Sequence, residues 1–300
     1  MSIENFVPKL WASALEVPFQ ESLIFGNGTI FDAKFQPMLQ NTGNTVTINT
    51  IGAASVKPYK KTEDIEYDDV TTTATTLVMD QSKYYGFRVA DIDAVQASGD
   101  FASVSTEMHA REMARDVDRY LAKVAVDNAG NKLDALTVFN SSDYYRPAED
   151  QITPWDVLRR FVKELNKVSA PSQNRWIVVG EDFADALLGD KHLTEAHVAG
   201  TDTVSRSGQV GSIPSLGLTI YVSGALSASG GNKEKIVAGV PGALTFATQL
   251  QKVEAMRDTR RFDDLFRGLQ VYGAQAIRPS GVVAGELEVA DGVLGGAGLV

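Results

Sequence analysis

Extended-looking chain, polar threonines set among apolar β-branched residues, runs away on both sides of the segment "VKPYKKTEDIEY" (56–67), with "NTVTINTIGAAS" before it and "DDVTTTATTLVMDQSKYYGFRV" after it. Threonines and β-branched residues on both flanks predict strands, and the Pro-Tyr-Lys-Lys-Thr-Glu-Asp run between them predicts a turn. The pattern is that of one long hairpin over roughly 40–89. Each arm would reach about 14 residues, or roughly 45 Å at ~3.3 Å per residue. A two-stranded ribbon of that size is marginal in water, so it must lie on something. Ahead of it, residues 1–39 mix short apolar pieces with Gly26, Gly28, Pro18 and Pro37, the pattern of an arm that packs rather than of a long helix.

The period then changes. From Phe101 to about Asn128, Ala110, Met113, Ala114, Val117, Tyr120, Leu121 and Val124 recur at the spacing of one helical face. At ~1.5 Å per residue this helix is about 40 Å long. Its other face carries Glu107, Arg111, Glu112, Arg115, Asp116, Asp118 and Arg119, which reads as a solvated face with opposite charges at helical-neighbour spacing. "TPWDVLRRFVKELNKV" (153–168) predicts a second helix, with Thr153 as N-cap, Pro154 at the first position and Trp155, Leu158, Val162 and Leu165 on one side. "RWIVVG" follows as a short buried strand, "EDFADALLGD" as a helix, "GTDTVSRSGQVGSIP" as a loop and "SLGLTIYVSGAL" as a strand, so 151–244 forms a compact α+β block. Two long strands joined by the charged turn "TRRFDD" come next, and the glycine-rich tail "EVADGVLGGAGLV" ends the chain. There is no repeat at a period of 20–50 residues, which argues against a solenoid or propeller.

Composition narrows the functional classes. The 300 residues are 44% apolar and 22% charged, ordinary for a chain that buries a real core. A net charge of −10 argues against a general grip on nucleic acid or anionic membrane. The absence of cysteine removes disulfides, thiolate metal sites and thiol nucleophiles together. The start "MSIENFVPKLW" lacks the features of a signal peptide, and no run of 18 apolar residues occurs, so the expectation is a soluble intracellular product.

Candidate chemistry is sparse. His192 and His197 are five apart and do not share a helical face, and His109 sits in the charged stretch of the long helix. Glu181, Asp182, Asp185 and Asp190 can be drawn as acid–base carboxylates, but acids there also favour a helix N-terminus. The glycines of "SGQVGSIPSLG" meet neither the dinucleotide fingerprint nor the phosphate loop, and no G-x-S-x-G elbow is present. The reading therefore assigns no catalytic, cofactor or metal residue. In "MRDTRRFDDLFRG", Asp258, Asp263 and Asp264 interleave with Arg257, Arg260, Arg261 and Arg267, a self-complementary cluster that suits a protein partner better than nucleic acid.

These pieces in this order resemble the major capsid protein of tailed bacteriophages, the shell-forming fold named after phage HK97. The likeness is most specific in "GQVGSIPSLGLTIYVSGAL", in "IVAGVPGALTFATQL" and in "VEAMRDTRRFDDLFRGLQVYGAQAIRP", with its V-E strand, charged F-D-D turn, long second strand and terminal Arg-Pro. "TVTINTIGAASVKPY" through "LVMDQSKYYGFRV" is similar to the hairpin called the E-loop, and the likeness runs from about residue 10 to 286.

The resemblance implies an α+β, HK97-like capsid fold: an N-terminal arm (1–39), an E-loop hairpin (40–90), a P-domain with its spine helix (91–150), an A-domain (151–244), P-domain strands (245–279) and a return to the A-domain with the tail (280–300). It implies a structural subunit without enzymatic activity or cofactor, assembling with copies of itself as hexamers and pentamers of an icosahedral shell in the virion. Scaffolding protein, portal and a decoration protein are the implied partners. Double-stranded DNA is packaged without specific binding, no membrane is involved, and assembly takes place in the host cytoplasm. The expected subunit contacts are Lys57, Lys60, Lys61, Glu63 and Asp64 at the hairpin tip, with Arg260, Arg261, Phe262, Asp263 and Asp264 at the turn, the arginines of one copy facing the aspartates of the next. The three lysines match no motif of the shells that weld a loop lysine to an asparagine. The arm pattern begins almost at Met1, so either no cleaved scaffolding segment exists or the chain is already processed. The alternatives are an encapsulin-type compartment shell and, from another class, an α+β hydrolase using the acids near 181–190.

Overall fold

A computed structural model of the chain describes residues 24–26, 28–37, 45–52, 55–59, 61, 64, 67–69, 71–90, 101–139, 151–188, 209–213, 216–226, 233–261 and 263–290. Most of the predicted arm, Lys60, Glu63, Asp190, His192, His197, Phe262 and the glycine-rich tail after Ala290 lie outside the described residues, while Glu288, Val289 and Ala290, the start of that tail, form the end of a strand.

In chain order the strands are β1 (Phe31–Asp32), β2 (Thr45–Ile51), β3 (Thr72–Val78), β4 (Gln81–Ala90), β5 (Asn131–Phe139), β6 (Gln151–Ile152), β7 (Arg175–Val179), β8 (Gln209–Ile213), β9 (Leu218–Val222), β10 (Lys233–Gly239), β11 (Leu244–Arg257), β12 (Asp263–Ala276) and β13 (Val282–Ala290). The helices are α1 (Phe101–Asp127), α2 (Pro154–Lys167) and α3 (Glu181–Leu188).

The largest sheet is ordered β6-β5-β13-β10-β7-β9-β8. β7 is buried along its whole length, as the apolar run Trp176–Val179 requires of a strand covered on both faces. Its alternate side chains feed two cores. Trp176 and Val178 pack with Val117, Leu121 and Ala125 of α1, while Ile177 and Val179 pack with Val157, Leu158, Phe161 and Leu165 of α2 and Phe183 and Leu187 of α3. α2 starts where Thr153 Oγ1 accepts a hydrogen bond from the Asp156 amide at 3.2 Å, with Pro154 in the first turn.

A four-stranded sheet, ordered β1-β11-β12-β4, stands beside it, and β2 and β3 form a separate two-stranded ribbon. β11 and β12 run antiparallel for 14 residues each, with one bulge between Leu250 and Lys252.

Three features differ from the sequence reading. The hairpin arms pair over seven residues, from Thr45↔Val78 to Ile51↔Thr72, and 81–90 leaves the ribbon to run antiparallel along β12. There Tyr85 and Phe87 meet His109 of α1, whereas a longer ribbon would hold both faces in water. The segment after the long helix is also not part of the same sheet as β11 and β12: β5 lies parallel to β13 in the seven-stranded sheet. Finally, the glycine- and serine-rich loop contains a strand, β8, whose ladder with β9 outweighs its poor local propensity. The chain turns between them at Gly217, which has φ +64° and where an added Cβ would lie 2.3 Å from the Ser172 carbonyl oxygen.

Candidate functional site

The ribbon is anchored at one end only. Ile48, Leu77 and Met79 pack on Ala247 and Val271 of the four-stranded sheet, with Phe35, Val46 and Ile277 around them. Beyond that base the described apolar side chains Ile51, Val56, Tyr59 and Tyr67 are exposed, Tyr67 to 90%. Between β2 and β3, Lys57 Nζ lies 2.8 Å from Asp68 Oδ1, and Ser55 donates to Asp68 Oδ2 through its amide, at 3.2 Å, and through its hydroxyl. Lys57 first and Ser55 second hold the Asp68 carboxyl below its ordinary range. Lys61, Asp64 and Asp69 point to solvent. Of the predicted tip residues, the structure thus engages Lys57 within its own loop and leaves Lys61 and Asp64 outward.

The turn between β11 and β12 is closed by backbone. The Asp258 amide donates to the Asp263 carbonyl at 2.9 Å, and Asp258 Oδ1 accepts from the Arg260 amide at 2.8 Å. Asp264 pairs with Arg257 at 3.0 Å, and Asp263, almost buried, pairs with Arg88 of β4 at 3.4 Å. Arg260 and Arg261 are exposed and have no ion-pair partner among the described residues. Within the chain both aspartates have an arginine partner, Asp264 while still exposed, and Arg260 and Arg261 face outward.

Two carboxylates that the sequence reading passed over do more for the architecture. Asp118 sits among charged neighbours on α1, on a face expected to be solvated, yet it is only 6% exposed. It accepts hydrogen bonds from the amides of Ile24 (3.2 Å) and Phe25 (2.9 Å) and from the Ser223 hydroxyl (3.1 Å). It thereby ties the segment leading to β1, the long helix and the loop after β9 to one point. Burial pushes its carboxyl above the ordinary value, and the three donated bonds pull it back in part.

Glu234 of β10, 4% exposed, reaches the start of α3, where its two oxygens accept from the amides of Asp182 (2.9 Å) and Phe183 (3.0 Å). It acts as a remote N-cap, favoured further by the positive end of the helix dipole. A Cβ on Gly180 would lie 2.2 Å from the Glu234 carboxylate carbon, so glycine there keeps the approach open. Glu181, Asp182 and Asp185 are exposed around the same helix, where the first two suit its N-terminus.

On the inner side of β4, the His109 ring stacks with Phe87 at 4.7 Å and Tyr85 at 6.1 Å, and Phe87 with Phe266 at 5.0 Å. Farther along α1, the Tyr272 hydroxyl donates to Asp116 and the Tyr120 hydroxyl to Asp80, each at 2.9 Å. Burial, with help from Asp80, pushes the Tyr120 hydroxyl up to about 12. These contacts fasten the long helix to the four-stranded sheet. Among the described residues, no group of three or more His, Cys, Asp or Glu side chains is arranged to hold a metal, and no helix is long and apolar enough to cross a membrane.

The family model described as phage capsid protein matches residues 74–285. A solved structure from Mycobacterium phage Che8 is 32% identical over 88% of this chain and 90% of that chain, with a TM-score of 0.68. The mature capsid of bacteriophage PhiM1 is similar at 16% identity, covering 82% of this chain and 83% of that chain, with a TM-score of 0.60. A virus-like particle from Pyrococcus furiosus is similar at 11% identity, covering 93% and 99%, with a TM-score of 0.58. These last two likenesses are of fold alone. A comparison with curated proteins finds no match.

Proposed function

Since this chain belongs to the phage capsid protein family, we propose that it builds the icosahedral head of a tailed phage as hexamers and pentamers, each copy's ribbon lying across its neighbour. It is a major capsid subunit, a structural protein of the virion shell that assembles with copies of itself. In this reading the four-stranded sheet with α1 is the P-domain, the seven-stranded sheet with α2 and α3 is the A-domain, and β2, β3 and the loop between them form the E-loop. β5 and β13 carry the chain from one to the other. The partners are a scaffolding protein, a portal, a decoration protein and double-stranded DNA held without sequence specificity, with assembly in the host cytoplasm. The proposal gives the chain no catalytic role.

The single observation that carries the reading of the ribbon is its unfinished surface. A two-stranded element fixed, among its described residues, through Val46, Ile48, Leu77 and Met79, with Ile51, Val56, Tyr59 and Tyr67 in water, is stable only if another surface covers it. In a closed shell that surface is a second copy, and the same patch is satisfied on every copy by symmetry. Lys57, Lys60, Lys61, Glu63 and Asp64 then lie where the ribbon meets its neighbour, and Arg260, Arg261 and Phe262 where three capsomers meet.

Electron microscopy of the expressed chain, alone and with a scaffolding partner, is the test: rings or closed shells are expected, and a strict monomer under every condition would refute the reading. Removing residues 54–68 should leave the seven-stranded sheet folded and block or alter assembly. Normal shells from that truncated chain would show that the ribbon is not a strap. The encapsulin-type alternative has only a likeness of fold behind it. Particles containing an enzyme cargo instead of DNA and a portal would favour it.

A further inference from the structure

The exposed ridge of α1 is cationic along most of its length. Among the helix side chains described, those exposed are Met108, Arg111, Glu112, Arg115, Arg119, Lys123 and Asp127. Arg111, Arg115, Arg119 and Lys123 follow one another at four-residue steps, which puts successive cations about 6 Å apart and the whole row at about 18 Å. Glu112 is spent on Arg115, at 2.7 Å. Between Arg111 and Lys123 the other acids turn away, Asp116 to Tyr272 and Lys83 and Asp118 into the core, and exposed Asp127 ends the row one turn beyond Lys123. Arg119 and Lys123 have no ion-pair partner among the described residues.

We propose that this ridge is a contact for the sugar–phosphate backbone of nucleic acid. The row of cations is evenly spaced, and among the described side chains Met108 is the one exposed apolar member, at one end. A protein partner would call for an apolar or aromatic centre, which the described side chains of the ridge do not supply. A phosphate backbone asks only for cations in a row, and it reads no sequence. The chain's net charge of −10 keeps the contact weak and local. In the capsid reading, on which the identity of the polyanion rests, the backbone is that of the enclosed DNA.

The test measures a short random-sequence DNA duplex binding to the unassembled full-length chain by fluorescence anisotropy, from low salt upward. With the two phosphates opposite Arg119 and Lys123 neutralised, the logarithm of affinity should fall against the logarithm of salt with a slope of about −1.8. Arg119→Gln and Lys123→Gln should each flatten that slope by about 0.9, because each removes one phosphate contact. The quadruple variant, with Arg111→Gln and Arg115→Gln added, should lose at least about tenfold in affinity at low salt. Glutamine keeps helix propensity, and circular dichroism checks the fold; if the quadruple variant loses helix, the two single slopes carry the test. No duplex binding by the parent chain at low salt overturns the proposal, as do unchanged slopes in the singles. A poly-glutamate peptide bound in preference to the duplex also overturns it and makes the ridge a protein-docking surface. Microscopy of the same preparations separates the two ideas: shells without duplex affinity sink the ridge alone, whereas duplex affinity without shells sinks the capsid reading.

Discussion

Replacing Asp118 with alanine would strand three donors at once: the Ile24 and Phe25 amides and the Ser223 hydroxyl. Phe25 and Ser223 are buried and Ile24 is half-buried, so two of the three lose a partner that water cannot replace. At about 1–3 kcal/mol for each orphaned buried donor, offset in part by no longer burying a carboxylate, the net loss should be about 2–4 kcal/mol. Asp118→Asn keeps an acceptor for the two amides and turns a donor toward Ser223, so about 1 kcal/mol is expected. Urea unfolding of the unassembled chain measures the totals, and hydrogen exchange at the Phe25 amide shows whether the segment leading to β1 is released. The pH dependence carries a definite sign. The folded chain holds the Asp118 proton more tightly than the unfolded chain, whose carboxyl titrates near 3.8. The contribution of Asp118 is therefore largest below that value and is lost as pH rises through the folded value. Asp118→Asn does not titrate, so the parent chain should lose stability relative to it across that window. A loss under about 1 kcal/mol for Asp118→Ala, or a Phe25 amide that exchanges as before, would refute the idea that one buried carboxylate holds three segments together.

The cap at α3 should behave likewise: Glu234→Ala should destabilise by about 1–2 kcal/mol and Glu234→Gln by about half that, both read by thermal unfolding, and equal effects would refute a two-oxygen cap. Gly180→Ala should approach the cost of Glu234→Ala, because its Cβ displaces the carboxylate. At the turn between β11 and β12, Arg260→Glu with Arg261→Glu should impair shell closure seen by microscopy. Asp263→Lys with Asp264→Lys should loosen the strand ends through loss of the Arg88 and Arg257 pairs, and mixing the two mutant chains should restore little. Full repair on mixing would instead return the aspartates to a neighbouring copy. Reversing Lys57, Lys60 and Lys61 together should slow assembly most at low ionic strength, as followed by light scattering, and indifference to both the reversal and salt would remove the tip from the contact.

Local signals made part of this fold legible in the sequence. α2 could be read from Thr153, Pro154 and the period of its apolar residues, and β7 from four consecutive apolar residues after Arg175, because caps and periodicity act within a turn or two of chain. The ribbon and the long helix were visible for the same reason, and so was the order of elements that carries the likeness to capsid proteins. The partners of each element were not. Gln81–Ala90 has the same strand propensity whether it extends a hairpin or joins β12, and only the ladder with β12 and the packing of Phe87 on His109 and Phe266 choose between them. Val138 of β5 is completely buried, and the strand's position beside β13 depends on a pairing about 150 residues away. The candidate site divides the same way: the turn reads as nearly neutral from its composition, but which aspartates are taken and which arginines face outward depends on Arg88, brought in by β4. Asp118 shows the difference most sharply. In its own helix it is one acid among charged neighbours, and the donors that make its burial tolerable lie 93, 94 and 105 residues away, so only the folded chain could turn a surface-patterned carboxylate into a core contact.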